Sequence, residues 1–155
     1  MDNIHLAQEL MQGYADKKNS LRCTIKIDLC KAYDTIDYDF LRTVLNGLNF
    51  HLKFMYWVMQ CVSSPRFSIA INDSPYGFFE GKRGIRQGDP MSPSLFIFCM
   101  EYLSRLLVVR ISNNDFHYHA ECARKKITYL AFADDLMLFG RGDFMSMTIL
   151  AYMMQ

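Results

Sequence analysis

Two adjacent acids, Asp134 and Asp135, interrupt an otherwise apolar run, Tyr129-Leu130-Ala131-Phe132-Ala133-Asp134-Asp135-Leu136-Met137-Leu138-Phe139. Neighbouring carboxylates repel each other, and no basic residue stands beside them in the chain. A divalent cation would relieve that repulsion. Asp-Asp is also ordinary turn chemistry, because aspartate tolerates turn backbones, and the pair alone leaves both readings open. Asp28 tips the balance. It belongs to a stretch in which Cys23, Ile25, Ile27 and Leu29 alternate with Arg22, Thr24, Lys26 and Asp28. That is the period of a half-buried strand, and it places Asp28 near a strand end on the polar face. A sheet could therefore gather three carboxylates. Oxygen donors alone suit Mg²⁺ better than a softer metal. No histidine or cysteine set competes: His5, His51, His117 and His119 are scattered, and the last two, set among Asn113, Asn114, Asp115 and Glu121, are expected to face solvent.

A second candidate is the loop Gly84-Ile85-Arg86-Gln87-Gly88-Asp89-Pro90. Glycines let backbone approach a ligand closely. Arg86 offers a planar fork for phosphate, and Gln87 can bond base or sugar edges. A connector in which Asp89 caps the next helix would look the same.

The elements that must position these residues are legible from pattern. Residues 4–14 have roughly helical spacing, and residues 22–29 read as the strand described above. Asp37 can cap a helix starting near Tyr38, with Phe40, Leu41, Val44, Leu45 and Leu48 as its apolar stripe. A helix over 51–62 follows, then a hairpin of Phe67–Ile71 and Tyr76–Phe79 around residues 72–75. Ser92 fits an N-cap and Pro93 a first turn for a helix over 94–111, whose recurring Leu95, Phe98, Tyr102 and Leu106 predict the buried side. Strands at 127–132 and 136–139 close the pattern across Ala133-Asp134-Asp135. The mixture predicts an α+β fold, an antiparallel sheet with helices on one face.

Bulk properties bound the rest. The chain has 155 residues, 51% hydrophobic and 21% charged, which is material for one folded core and too apolar for a disordered chain. A net charge of +1 does not by itself announce a nucleic-acid binder, although basic residues cluster at Lys17–Lys18, at Lys82, Arg83 and Arg86, and at Arg124–Lys126. Five cysteines without C-x-x-C spacing fit free thiols in a reducing, intracellular setting, nucleus or cytoplasm, and read as small core residues. No stretch is long and apolar enough for a membrane span, and the polar N-terminus does not read as a signal peptide.

Taken together, three segments resemble the reverse transcriptases of non-LTR (LINE-type) retrotransposons, especially those of plants. Ile25-Lys26-Ile27-Asp28-Leu29-Cys30-Lys31-Ala32-Tyr33-Asp34 looks like the first catalytic motif of that family. Arg86-Gln87-Gly88-Asp89-Pro90-Met91-Ser92-Pro93 looks like its template-and-nucleotide loop, and Phe132-Ala133-Asp134-Asp135 like its signature hairpin. The stretch from Asp2 to Leu10 is similar as well, while Tyr38 stands where these relatives usually carry tryptophan.

The resemblance implies a polymerase palm. Asp28 and Asp134 would bind two Mg²⁺ ions, with Mn²⁺ as a substitute, and Asp135 would complete the acidic cluster. The backbone around Leu29, Lys31 and Ala32 would face the incoming triphosphate, and Tyr33 would gate the sugar. Gln87 and Gly88 would lie near the nascent base pair, with Arg86 close by. The implied partners are an RNA template, a DNA primer and a deoxynucleotide, with no membrane. The resemblance further implies that residues 1–155 form a partial reverse transcriptase domain, a palm core with a remnant of the fingers, lacking thumb and endonuclease. Such a piece is expected to be poorly soluble and inactive alone. An inactive retroelement relic or RNA-binding module with a palm fold is the alternative. A palm-fold nucleotide cyclase leaves the Arg86–Pro93 loop unexplained, and an intron-type reverse transcriptase fits the first motif less closely. Oligomeric state is not legible.

Overall fold

The computed structural model describes residues 3–12, 14, 21–112, 115–132 and 135–152. Contacts divide the chain into two compact units, one of residues 1–30 and 104–155 and one of residues 31–103.

In the first unit, helix α1 (Asn3–Met11) precedes strand β1 (Arg22–Asp28), and strands β4 (Tyr129–Phe132) and β5 (Asp135–Arg141) complete an antiparallel sheet of order β1-β5-β4. The alternation read in residues 22–29 is thus a strand, as expected. β1 and β5 pair over their full lengths, from Arg22 opposite Arg141 to Asp28 opposite Asp135. Ala7 and Leu10 of α1 meet Cys122, Leu130 and Phe139 in a small buried cluster. Helix α5 (Phe144–Tyr152) follows β5 and has no counterpart in the sequence reading. It is apolar nearly all round, which hides the 3.6-residue period. Its start is nonetheless marked: Asp143 accepts from the Ser146 amide and from the Ser146 hydroxyl, both at 3.0 Å. That carboxylate is held below its usual range chiefly by the Ser146 amide.

The second unit holds helices α2 (Tyr38–Gly47) and α3 (Leu52–Ser63) and the ribbon β2 (Arg66–Ile71) with β3 (Ser74–Glu80). Asp37 caps α2 as expected, accepting from the Asp39 and Phe40 amides at 2.9 and 3.0 Å. Asn72 and Asp73, with φ of 47° and 63°, make the two-residue hairpin turn, a geometry that matches the right-handed twist of the strands. Leu41, Leu45, Val58, Ile85 and Leu95 form the centre of this unit's core.

Helix α4 (Ser92–Ile111) begins in the second unit and ends in the first. Its expected face is corrected. Leu95, Cys99, Leu107 and Ile111 are buried, whereas Tyr102 is exposed and Phe98 and Leu106 are only half-buried. Apolar residues surround this helix, so composition does not select a side, and the buried residues follow an i, i+4 ridge. Ser92 does not cap it: the buried Ser92 hydroxyl donates to the Arg86 carbonyl at 2.7 Å. Phe98, tilted against Phe50 at 5.0 Å between ring centroids, still contributes packing. Phe98→Ala should therefore cost less than the ~3–5 kcal/mol of a fully buried phenylalanine. Leu95→Ala should be the more damaging change, and urea denaturation of the two variants checks the order.

The cysteines are free and divide by place. Cys99 and Cys122 are buried, and burial pushes each thiol up to about 11. Cys23 is half-buried, while Cys30 and Cys61 are exposed, so the expectation of core cysteines holds for only part of the set.

Candidate active site

Asp28 is the last residue of β1 and Asp135 the first of β5, and the register sets them directly opposite one another. Directly opposed residues in an antiparallel pair share a face, with Cβ atoms about 4.5–5.5 Å apart, and like charges there are destabilising. The backbone thus holds two carboxylates together at a sheet end although they repel. Asp28 is exposed and Asp135 half-buried, so ligands can reach them.

Asp134, and with it the tip of the hairpin, lies outside the described residues. The expected convergence of three acids is therefore visible for Asp28 and Asp135. Among the described residues no group of three or more metal-binding side chains gathers. The two carboxylates that do meet offer oxygen donors alone, the set that a hard divalent cation takes.

A basic partner is also present that the local sequence did not reveal. Lys26 Nζ lies 2.9 Å from Asp135 Oδ2, reaching diagonally across the β1–β5 pair. Strand pairing brings it there, from more than a hundred positions away in the chain. The pair is open to solvent on both sides, so its contribution is small, about 0–1 kcal/mol. Beside Asp135, α1 and the hairpin strands border a depression of about 670 Å³ lined mainly by Ile4, Ala7, Met11, Phe132 and Met137.

In the second unit, two of the singled-out segments meet. The Gly84 amide donates to the Ile36 carbonyl at 2.7 Å and the Ile85 amide to the Tyr33 carbonyl at 2.8 Å. This staples the turn after the first motif to the glycine-containing loop. Gly84 has φ +92°, and a Cβ there would stand 2.8 Å from the Asp34 carbonyl oxygen. Buried Ile85 anchors the loop beneath, and Asp89 accepts from the Met91 amide at 2.8 Å. Arg86, Gln87 and Gly88 remain exposed, with open space around the Gly88 Cα.

Lys31 adopts φ +55° and its carbonyl accepts from the amides of Asp34 and Thr35. Such a left-handed lysine is locally strained. Lys31 is exposed, Leu29 half-buried and Ala32 buried. The Tyr33 ring is half-buried, stacked on Phe96 at 5.1 Å and packed against the unit's core.

The expectation for His119 is overturned. It is fully buried, while His117 is exposed. Its Nδ1 accepts from the Glu121 amide at 3.3 Å, which leaves the proton on Nε2, 3.1 Å from Tyr14 Oη. Tyr14 in turn bonds the Thr24 hydroxyl. The Phe139 ring stands edge-on to the imidazole at 6.0 Å. The surrounding polar residues gave the wrong sign because Phe139 of β5 and Tyr14, both distant from His119 in sequence, supply its lid and one of its partners.

Burial, and then the Arg22 guanidinium, lower the pKa of His119, with Glu121 opposing. The folded state therefore binds this proton less readily than the unfolded chain. Stability should be intact above about pH 6.5, the ordinary histidine value, and fall as the pH drops from there towards the lowered one. Urea midpoints between pH 7.5 and 5 should decline for the wild type and stay flatter for His119→Gln. Parallel declines would remove His119 as the cause.

The family model for "Reverse transcriptase (RNA-dependent DNA polymerase)" matches residues 1–153. The chain belongs to the reverse transcriptase family. This reverse transcriptase chain is 30% identical over 137 residues to the Pol polyprotein of a type-1 retrotransposable element R2 from Nasonia vitripennis, covering 88% of the chain and 13% of that protein. It is 43% identical over 75 residues to an uncharacterized mitochondrial protein of Arabidopsis thaliana, covering 42% of the chain and 54% of the relative. The chain thus spans about half of one relative and about an eighth of the other. An apo telomerase from Candida tropicalis, truncated from its C-terminal domain, superposes with a TM-score of 0.60 at 14% identity, over 97% of this chain and 30% of that one. That likeness shows the fold, which is reverse-transcriptase-like, α+β with antiparallel sheets. Reverse transcriptase domains generally use divalent metal ions. No helix among the described residues is long and apolar enough to cross a membrane.

Proposed function

We propose that this reverse transcriptase chain is the catalytic palm of an RNA-directed DNA polymerase. The observation that carries the reading is the strand register that sets Asp28 opposite Asp135. Repelling carboxylates fixed at a sheet end have little structural purpose, and their oxygens are what a hard cation takes. Asp28, Asp134 and Asp135 would hold two Mg²⁺ ions, with Mn²⁺ as a substitute. A bound metal pair would lower the negative charge on the attacking and leaving oxygens. In the reaction, the 3′-hydroxyl oxygen of a primer forms a bond to the α-phosphorus of a deoxynucleotide. The bond to the bridging oxygen breaks, pyrophosphate departs, and the hydroxyl proton passes to water. What the protein adds is mainly positioning and electrostatics.

The remaining roles are proposed with this reading. The backbone of Leu29, Lys31 and Ala32 would face the triphosphate, and the left-handed Lys31 fits a segment shaped for a ligand rather than for its own comfort. Arg86, Gln87 and Gly88 are exposed on a loop whose shape is fixed from beneath, which suits contact with a template-primer pair. The partial domain, a palm core with a remnant of the fingers, belongs to the same proposal.

Deoxynucleotide incorporation on a primed RNA template, with Mg²⁺ or Mn²⁺, tests the reading in a full-length protein containing this sequence. No metal-dependent incorporation there would return the chain to an inactive module. Tyr33 provides a sharper readout. If it gates the sugar, Tyr33→Val in the same protein should raise the ratio of ribo- to deoxynucleotide incorporation by about tenfold or more, the scale of ~1.4 kcal/mol of lost discrimination. An unchanged ratio would leave Tyr33 as the packing partner of Phe96.

A further inference from the structure

Arg22 opens β1 at the end of the sheet opposite to Asp28. Its side chain is nine-tenths buried. One guanidinium nitrogen donates to the Gln12 carbonyl at 3.2 Å, and another lies 3.4 Å from Glu121 Oε1. The third, Nε, is buried with no hydrogen-bond partner among the described residues. A buried donor left unpaired is costly, more so on a charged group, and it asks for an explanation.

The same arginine borders a cavity of about 820 Å³ whose polar lining includes Glu9, Gln12, Glu121, Arg124 and Lys125. Arg124 and Lys125 sit on an exposed turn and form no ion pair with a described residue. Three cations thus face two carboxylates, and one of those, Glu121, is already engaged by Arg22. The cavity's lining combines a buried arginine, one of whose N–H groups has no partner among the described residues, with two exposed cations and room for a ligand. An acceptor with several oxygens and negative charge would complete it, whereas a cation or an apolar ligand would not.

We propose that this cavity is an oxyanion site of the phosphate class, separate from the acidic edge. β1 separates the two by six residues, about 20 Å at ~3.3 Å per residue. A nucleic-acid strand held there would therefore be gripped away from the reacting centre. That source rests on the polymerase reading; the phosphate chemistry does not.

The test uses the whole chain with EDTA present, so that the acidic edge holds no metal. Thermal unfolding is followed in rising inorganic phosphate against chloride of equal ionic strength, and oligouridine binding is followed by anisotropy across a salt series. Arg124→Ala/Lys125→Ala is the main variant, because both side chains are exposed and the fold should survive their loss; Arg22→Lys is the second, keeping charge but removing Nε. The expected result is a phosphate-specific rise in Tm that both variants reduce. If the strand is the source, oligouridine affinity should also fall severalfold in the double variant, with the salt slope shallower by about 0.7 per lost phosphate contact. A phosphate effect with unaltered oligouridine binding assigns the site to free phosphate instead. No phosphate-specific shift, or one that persists in both variants, overturns the proposal. Because no polymerisation is measured, failure here is separate from failure of the catalytic reading.

Discussion

Asp28→Asn and Asp135→Asn, made singly in a full-length polymerase that contains this sequence, should each lower metal-dependent nucleotide incorporation by about 10²–10³-fold, the scale on which one preorganised electrostatic group acts at a reacting centre. Folding should not suffer. Asparagine has nearly the same shape, and the β1–β5 ladder is made by backbone groups. Removing one of two opposed carboxylates relieves a repulsion. For Asp135 that gain is offset by the loss of the exposed Lys26 pair, itself about 0–1 kcal/mol. The joint measurement is incorporation rate and unfolding midpoint. Activity within tenfold of wild type, at unchanged stability, would remove these acids from the chemistry.

Gly84→Ala should be the most disruptive single methyl in the second unit. At φ +92° an alanine sits in a region that L-residues avoid, at about 1–2 kcal/mol. Its Cβ would also press on the Asp34 backbone, at 2.8 Å from the carbonyl oxygen and 3.0 Å from Cα, and overpacking adds about 1–3 kcal/mol. The two effects together predict a loss of about 2–5 kcal/mol in urea unfolding. The structural readout is local: the amides of Gly84 and Ile85, which donate to Ile36 and Tyr33, should lose hydrogen-exchange protection first. Gly88→Ala is the control, since its φ of +84° brings the same strain but nothing stands within 4 Å. Equal losses at the two positions would show that backbone strain alone, without the Asp34 contact, sets the cost.

Local chemistry was legible wherever the determinant lay within a few residues. The alternation of Cys23, Ile25 and Ile27 marked β1, Asp37 marked the start of α2, and the turn-forming residues 72–75 marked the hairpin, although Ser74 and Pro75 belong to β3. Asp28 was placed at a strand end on a polar face, and the register confirms that placement against Asp135. What escaped depends on residues distant in the chain. Lys26 reaches Asp135 only through strand pairing. His119 looked solvent-facing among polar neighbours, yet Tyr14 and Phe139 enclose it. The buried side of α4 was missed because apolar residues on all its faces make periodicity uninformative. Arg22 looked like the outward member of an alternating pair, but its guanidinium is buried against Gln12 and Glu121.

The seven consecutive pairs of β1 and β5 also bear on which changes of length this chain can tolerate. Loss of one codon within β1 would turn the strand residues on one side of the deletion to the opposite face of the sheet, since side chains alternate with a period of two. Loss of two codons would restore the facing but slide Asp28 about 7 Å along the strand, away from Asp135. Odd and even deletions thus fail for different reasons, the first by inverting part of the strand and the second by separating the acids. The exposed Asn72-Asp73 turn carries neither constraint, because its ribbon has every residue exposed on both strands. In-frame length variants selected for retained function should accumulate at that turn and be missing from β1 and β5.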